Sequence, residues 1–261
     1  MIFDTHIHLN SEVYKDNLSD LLKNASLKGI NLFNCVSFDL ESSIEAIEIA
    51  NKYDNVYATI GFIPTEHKKW DESSISKLKS LMTTSTKIIA VGEIGLDYYW
   101  EKDEQIKVKQ KEMFIKQIEL ANELNLPVSI HARDALQDCL DILKDHKCNK
   151  TGVMHCYSGS LELAKEFIKL GYKIAFGGVL TFKNSLKVKE VLKGISLKDI
   201  VFETDAPYLA PTPYRGKVNL PEYIYETVKY ASNLLNIEQS KLEEVTYNNS
   251  LEIFHVKKYE I

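Results

Sequence analysis

The chain has 261 residues, 44% of them hydrophobic and 26% charged, an ordinary globular balance with ample length for a core that needs no disulfide staples. Its net charge of −5 argues against a passive basic coat protein for nucleic acid, though not against an enzyme that meets phosphates through metal cations and a few local basic groups. No apolar run approaches the roughly 18 residues that span a membrane, MIFDTHIHLN lacks signal-peptide order, and Cys35, Cys139, Cys148 and Cys156 form no CxxC pair, so a reduced cytoplasmic protein is expected.

Short apolar runs alternate with longer amphipathic stretches, the pattern of repeated βα units around a parallel sheet. In chain order the expected strands are 2–6, 31–36, 56–61, 88–93, 127–131, 152–155, 173–177 and 200–204. Before the fifth and after the sixth, helical stripes stand out: Phe114, Ile118, Ala121 and Leu124, then Leu163, Ala164, Phe167 and Ile168 with Gly171 placed to stop the helix. Pro221 suits a first helical turn, followed by Ile224, Val228, Ala231 and Leu235 on one face. These stripes are core contacts. No linker, charge block or repeat divides the chain, so 1–261 reads as one domain. Eight strands favour a single (β/α)8 TIM barrel, an α/β fold, with a doubly wound open sheet as the alternative.

Where the polar residues fall decides between them. The first strand ends in His6-Ile7-His8, and residues two apart on an extended chain share a face. The fourth ends at Glu93, the fifth at His131, the sixth at His155 and the eighth near Asp205. A single histidine at a strand end is more often structural than a ligand. Four histidines and two carboxylates at five strand ends are another matter, because a barrel gathers all these ends at one mouth and an open sheet does not. His67, His146 and His255 lack such placement and read as surface or structural residues. Cys156 adjoins His155 and on a continuing strand faces away from it, as a packing residue.

Several segments then resemble the TatD family of metal-dependent deoxyribonucleases: DTHIHL at 4–9, GEIGLDYYW at 92–100, SIHARDA at 129–135, MHCYSG at 154–159, ETDAPYLAP at 203–211 and VTYNNSLEIF at 245–254. The resemblance runs from end to end. It implies a barrel holding two divalent metal ions, with Mg, Mn, Zn and Fe all compatible with mixed imidazole and carboxylate ligands. By the family's pattern His6, His8, Glu93 and Asp205 surround one ion, and Glu93, His131 and His155 hold the other, with Glu93 bridging. The implied activity is phosphodiester hydrolysis, as a 3′-5′ exonuclease on single-stranded DNA, by a water activated between two metals, with Asp205 as the base. No membrane and no obligate protein partner are implied. One departure is Ile63, where the family often has a histidine; that role is lost or partly assumed by His67.

Three further groups complete the expectations. Asp4 and Glu203 lie two residues before ligands and read as hydrogen-bond supports for them, since charge inside a barrel needs a partner. Among 32 Lys and Arg only Arg133 and Arg215 are arginine, and both follow ligand-bearing strands, where a planar guanidinium grips phosphate. Tyr98, Tyr99 and Trp100 offer faces for a stacked base, or an apolar rim. Alternatives are a hydrolase of small phosphoesters, amides or lactones on the same scaffold and a non-catalytic binding barrel.

Overall fold

In the computed structural model, which describes residues 1–257, eight parallel strands run in sequence order around one sheet. They are β1 (Ile2–Ile7), β2 (Ile30–Val36), β3 (Val56–Ile60), β4 (Ile88–Asp97), β5 (Val128–Arg133), β6 (Gly152–Met154), β7 (Lys173–Phe176) and β8 (Ile200–Phe202). The ring closes just past the ladder: Asp205 N donates to His6 O and His8 N to Ala206 O, each at 2.9 Å. This is a (β/α)8 barrel, not an open sheet. Residues 258–261 of the expected domain lie outside the described residues.

The helices are α1 (Leu18–Leu27), α2 (Leu40–Lys52), α3 (Ser74–Leu81), α4 (Glu104–Leu124), α5 (Leu136–Asp145), α6 (Leu161–Lys169), α7 (Leu186–Gly194), α8 (Ile224–Leu235) and α9 (Gln239–Phe254). The expected stripes are buried: Phe114, Ile118 and Ala121 on α4, Ala164 and Phe167 on α6, and Ile224, Val228 and Ala231 on α8. Gly171 follows α6 at φ +96°, a conformation that suits glycine. Pro221 opens a 3₁₀ turn, Pro221–Tyr223, rather than the α-helix itself.

The lumen is layered. At its N-terminal end Phe3, Leu32, Val153, Ala175 and Val201 pack with Tyr247, Ile253 and Phe254 of α9, so the last helix seals the floor. Above it lies a polar layer, in which Thr59 donates to Asn34 Oδ1 at 2.8 Å and Asn34 to the Thr5 carbonyl at 3.0 Å. The ligand-type side chains form the top layer. Strict alternation does not connect floor to mouth: Phe3 and His6 are an odd number of residues apart, and the register of β1 on β2 shifts between Asp4 and Ile7 to bring both inside.

Three strand ends around the site differ from expectation. β4 runs past Glu93 to Asp97 and pairs to Asp97↔Arg133, with a register shift between Val91 and Ile94. That shift re-aims Glu93 into the lumen from mid-strand. Gly95 permits the close pairing: at φ +138°, a Cβ there would lie 2.0 Å from His131 O. β6 and β8 are shorter than expected, ending at Met154 and Phe202, so His155 and Asp205 leave from irregular backbone.

Candidate metal centre

Four imidazoles and two carboxylates converge at the mouth. Glu93 lies between them, its Oε1 2.8 Å from His131 Nδ1 and 3.8 Å from His155 Nε2, its Oε2 3.4 Å from His6 Nε2. Asp205 Oδ1 lies 3.4 Å from His8 Nε2 and 3.8 Å from both His6 Nε2 and His155 Nε2. Donor atoms of His6, His8 and Glu93 fall within 4.8 Å of one another, as do those of Glu93, His131 and His155. Glu93 belongs to both groups, and two oxygens allow one carboxylate to serve two ions.

The imidazoles are aimed by their outer nitrogens. His8 Nδ1 donates to Val36 O at 2.9 Å, His155 Nδ1 to Glu203 Oε2 at 3.0 Å, and His6 Nδ1 meets the Ser129 hydroxyl at 3.4 Å. Each then presents Nε2 to the centre. His131 is reversed: its Nε2 donates to Asp97 Oδ2 at 2.9 Å and its Nδ1 faces Glu93. Bonding the far nitrogen fixes the tautomer and ring direction that metal ligation needs. His6 Nε2 is buried without a hydrogen-bond partner, as a donor atom reserved for a cation would be. The residues therefore fit a divalent metal.

The electrostatics agree. Burial opposes charge on the His155 ring, yet the charge and hydrogen bond of Glu203 push it up to about 10. Burial likewise opposes charge on His131, which its bonds to Asp97 and Glu93 push up to about 9. Burial alone would raise Glu93, but His6, His131 and His155 hold it well below the usual carboxylate range. Asp205 is lowered too, its burial outweighed by His8, His155 and His6. The carboxylates thus stay ionised and draw positive charge into the mouth, which a proton or a metal can supply.

The supporting carboxylates divide the work. Glu203 takes His155 Nδ1 on one oxygen and Cys156 N, at 2.6 Å, on the other. Asp4 reaches no imidazole. Its Oδ1 accepts Thr204 N at 2.9 Å and His6 N at 3.3 Å, and its Oδ2 accepts the Thr204 hydroxyl at 2.7 Å, so it ties β1 to the chain after β8. Burial, only partly offset by Thr204, pushes Asp4 up to about 8.

Around the rim, Arg133 lays its guanidinium 3.9 Å from the Tyr99 ring centroid and 5.6 Å from that of Trp100. Stacking leaves its N–H edge available. Arg215 lies over Phe182 at 4.2 Å, and among the described residues neither arginine forms an ion pair. Tyr99 and Trp100 are 46% and 65% exposed, whereas Tyr98 turns down, its hydroxyl 2.8 Å from Asp138 and Lys107 over its ring. Tyr98 is a rim-packing residue, not a stacking face.

Cys156 also departs from expectation. Strand pairing has ended before it, its φ is +44°, and it lines the mouth cavity beside His155 and Asp205 instead of packing away from them. His67 is 4% exposed, hence not a surface residue, and joins no ligand group among the described residues. Asp97 is the residue that motif reading passed over. Its Oδ2 holds His131 while its Oδ1 accepts Tyr99 N and Trp100 N at 3.0 and 3.1 Å. Its place in GEIGLD, four residues after Glu93, was the available signal.

The profile of the family described as TatD related DNase matches residues 3–255. The chain is 38% identical over 257 residues to "Uncharacterized metal-dependent hydrolase YabD" of Bacillus subtilis, covering 98% of this chain and 100% of that one. It is 32% identical over 259 residues to "Uncharacterized metal-dependent hydrolase YcfH" of Escherichia coli, covering 98% and 96%. Among solved structures, the TatD homologue YJJV of Escherichia coli superposes with a TM-score of 0.93 at 29% identity, over 98% of both chains. With its barrel, its converging ligand set and these relatives, the chain belongs to the TatD-related DNase family and is a metal-dependent hydrolase.

Proposed function

We propose that this protein is a deoxyribonuclease that removes nucleotides from the 3′ end of single-stranded DNA. The observation that carries the reading is Glu93 standing between two sets of histidines at a mouth flanked by the unpaired Arg133. His6, His8, Glu93 and Asp205 would hold one divalent cation, and Glu93, His131 and His155 a second; Mg, Mn, Zn and Fe all suit these ligands. Such ions, when bound, supply charge neutralisation, an acidified water and a stabilised leaving oxygen.

The chain's own residues do the rest. Arg133 and Arg215 grip phosphate oxygens through their N–H edges and align the strand. Asp205, ionised and open to the mouth, orients the attacking water and takes its proton on the carboxylate oxygen not turned to the imidazoles. The water oxygen bonds to phosphorus, the bond to the penultimate nucleoside's 3′ oxygen breaks, and that oxygen takes up the proton held by Asp205, releasing a 5′-mononucleotide. Tyr99 and Trp100 carry a neighbouring base. Four free thiols, with none paired, suit the cytoplasm.

The test is digestion of 5′-labelled single-stranded DNA with each metal, beside a panel of small phosphoesters, amides and lactones. A metal-dependent ladder shortening from the 3′ end supports the reading. Turnover of the small esters with intact DNA would replace it with a small-molecule hydrolase.

A further inference from the structure

A cavity of about 230 Å³ opens from the mouth on the side of β6 and β7. On the side of the metal centre it is lined by polar residues, His131, Arg133, His155 and Asp205. Its other walls carry Ala175, Phe176, Val179, Leu180, Val188 and Leu209, which are apolar. The far wall is preformed. The 3₁₀ turn Gly178–Thr181 is pressed against the loop after β8, where a Cβ on Gly178 would lie 2.1 Å from Leu209 O, and Thr212 N donates to the Thr181 hydroxyl at 2.8 Å.

We propose that this cleft receives the nucleobase of the 3′-terminal nucleotide, while its phosphate stays at the metal centre. The inference rests on the DNA reading above. The cavity is smaller than the roughly 300–1,000 Å³ of pockets for drug-sized ligands, so it takes one ring system and not a length of strand. A phosphate or a sugar's hydroxyls against its apolar side chains would lose water without gaining partners. A base has apolar faces that slot between such side chains, and its polar edge can stay toward the mouth. Of the two hydroxyl-bearing residues of the wall, Tyr157 already donates to the Ser160 carbonyl at 2.8 Å, and Ser158 is exposed at its edge. The cleft therefore requires a base, and with Ser158 as the one hydroxyl left to meet its edge it reads only weakly which one.

The experiment uses metal-loaded full-length protein and oligonucleotides ending in each of the four nucleotides or in an abasic tetrahydrofuran residue. Loss of the terminal base lowers kcat/KM by about 5- to 150-fold, the range that base stacking supplies. The four natural ends differ from one another by less than that. Val179→Trp, which fills the cleft from the 3₁₀ turn, or Val188→Phe, which fills it from α7, drives the ratio of base-bearing to abasic rates toward one, with metal content checked in each. Equal cleavage of natural and abasic ends by the unaltered protein overturns the inference and leaves the DNase reading standing. So does an unchanged ratio in a folded, metal-loaded variant. DNA left intact with every metal overturns the DNase reading itself, and this inference with it.

Discussion

Glu93 carries more of the centre than any other side chain, since its two oxygens face His131 and His6 from opposite sides. On the proposed two-ion reading a neutral amide there cannot offset both cations, so Glu93→Gln is expected to empty both sites and lower turnover by orders of magnitude; normal metal stoichiometry with full activity would refute the shared-ligand role. Asp97→Asn is a finer probe. The amide has one acceptor oxygen for two tasks, holding His131 and holding the amides of Tyr99 and Trp100. If its nitrogen faces His131, the ring must carry its proton on the nitrogen that should ligate. Metal affinity should fall roughly 10- to 100-fold by calorimetry, with saturating metal restoring activity. Arg215→Lys keeps charge but not the fork, so oligonucleotide kcat/KM should weaken by roughly 1–3 kcal/mol while a small activated phosphodiester is spared. All six ligand-type residues could be picked out from spacing and motif, because each ends or follows a short apolar run. Asp97 offered only its place in GEIGLD, four residues after Glu93, because its meeting with a histidine thirty-four residues on is made by the pairing of β4 with β5.

The elements were legible where periodicity is long and lost where backbone turns irregular. The stripes of α4, α6 and α8 are buried as their spacing requires. The shifts in β1 and β4, and the left-handed backbone at Cys156 and Asp205, break the period-two rule that placed neighbours such as Cys156. Gly95→Ala tests how tightly β4 is pressed on β5: its Cβ would clash with backbone, so a loss of at least about 3 kcal/mol by denaturant melts, or failure to fold, is expected. α2 offers a second test. Asp39 caps it through Ser42 N at 2.9 Å and pairs with Lys69. Burial would raise Asp39, but Lys69 and Ser42 lower it below the ordinary aspartate value. A lowered folded value means the stabilisation is present above the unfolded carboxylate's titration and lost as pH falls through the folded one. Asp39→Ala should therefore cost about 0.5–2 kcal/mol near neutrality and progressively less below about pH 4.

At the scale of the whole molecule, the barrel is sealed at one end by α9, where Phe3 and Phe254 meet at 5.8 Å, and open at the other around converging imidazoles and carboxylates. Among the described residues no helix is long and apolar enough to cross a membrane. Metal binds the folded centre and not the unfolded chain, so stripping it should lower Tm: an ion at 100 times its Kd contributes about 2.7 kcal/mol, and a domain of this size shifts by roughly 2–4 °C per kcal/mol. Glu93→Gln should abolish that shift. The most direct measurement is anomalous diffraction from crystals soaked in manganese or zinc. The account predicts two peaks that share Glu93, one among His6, His8 and Asp205 and the other between His131 and His155. A single peak away from Glu93, or none in a protein that still turns over substrate, would contradict it.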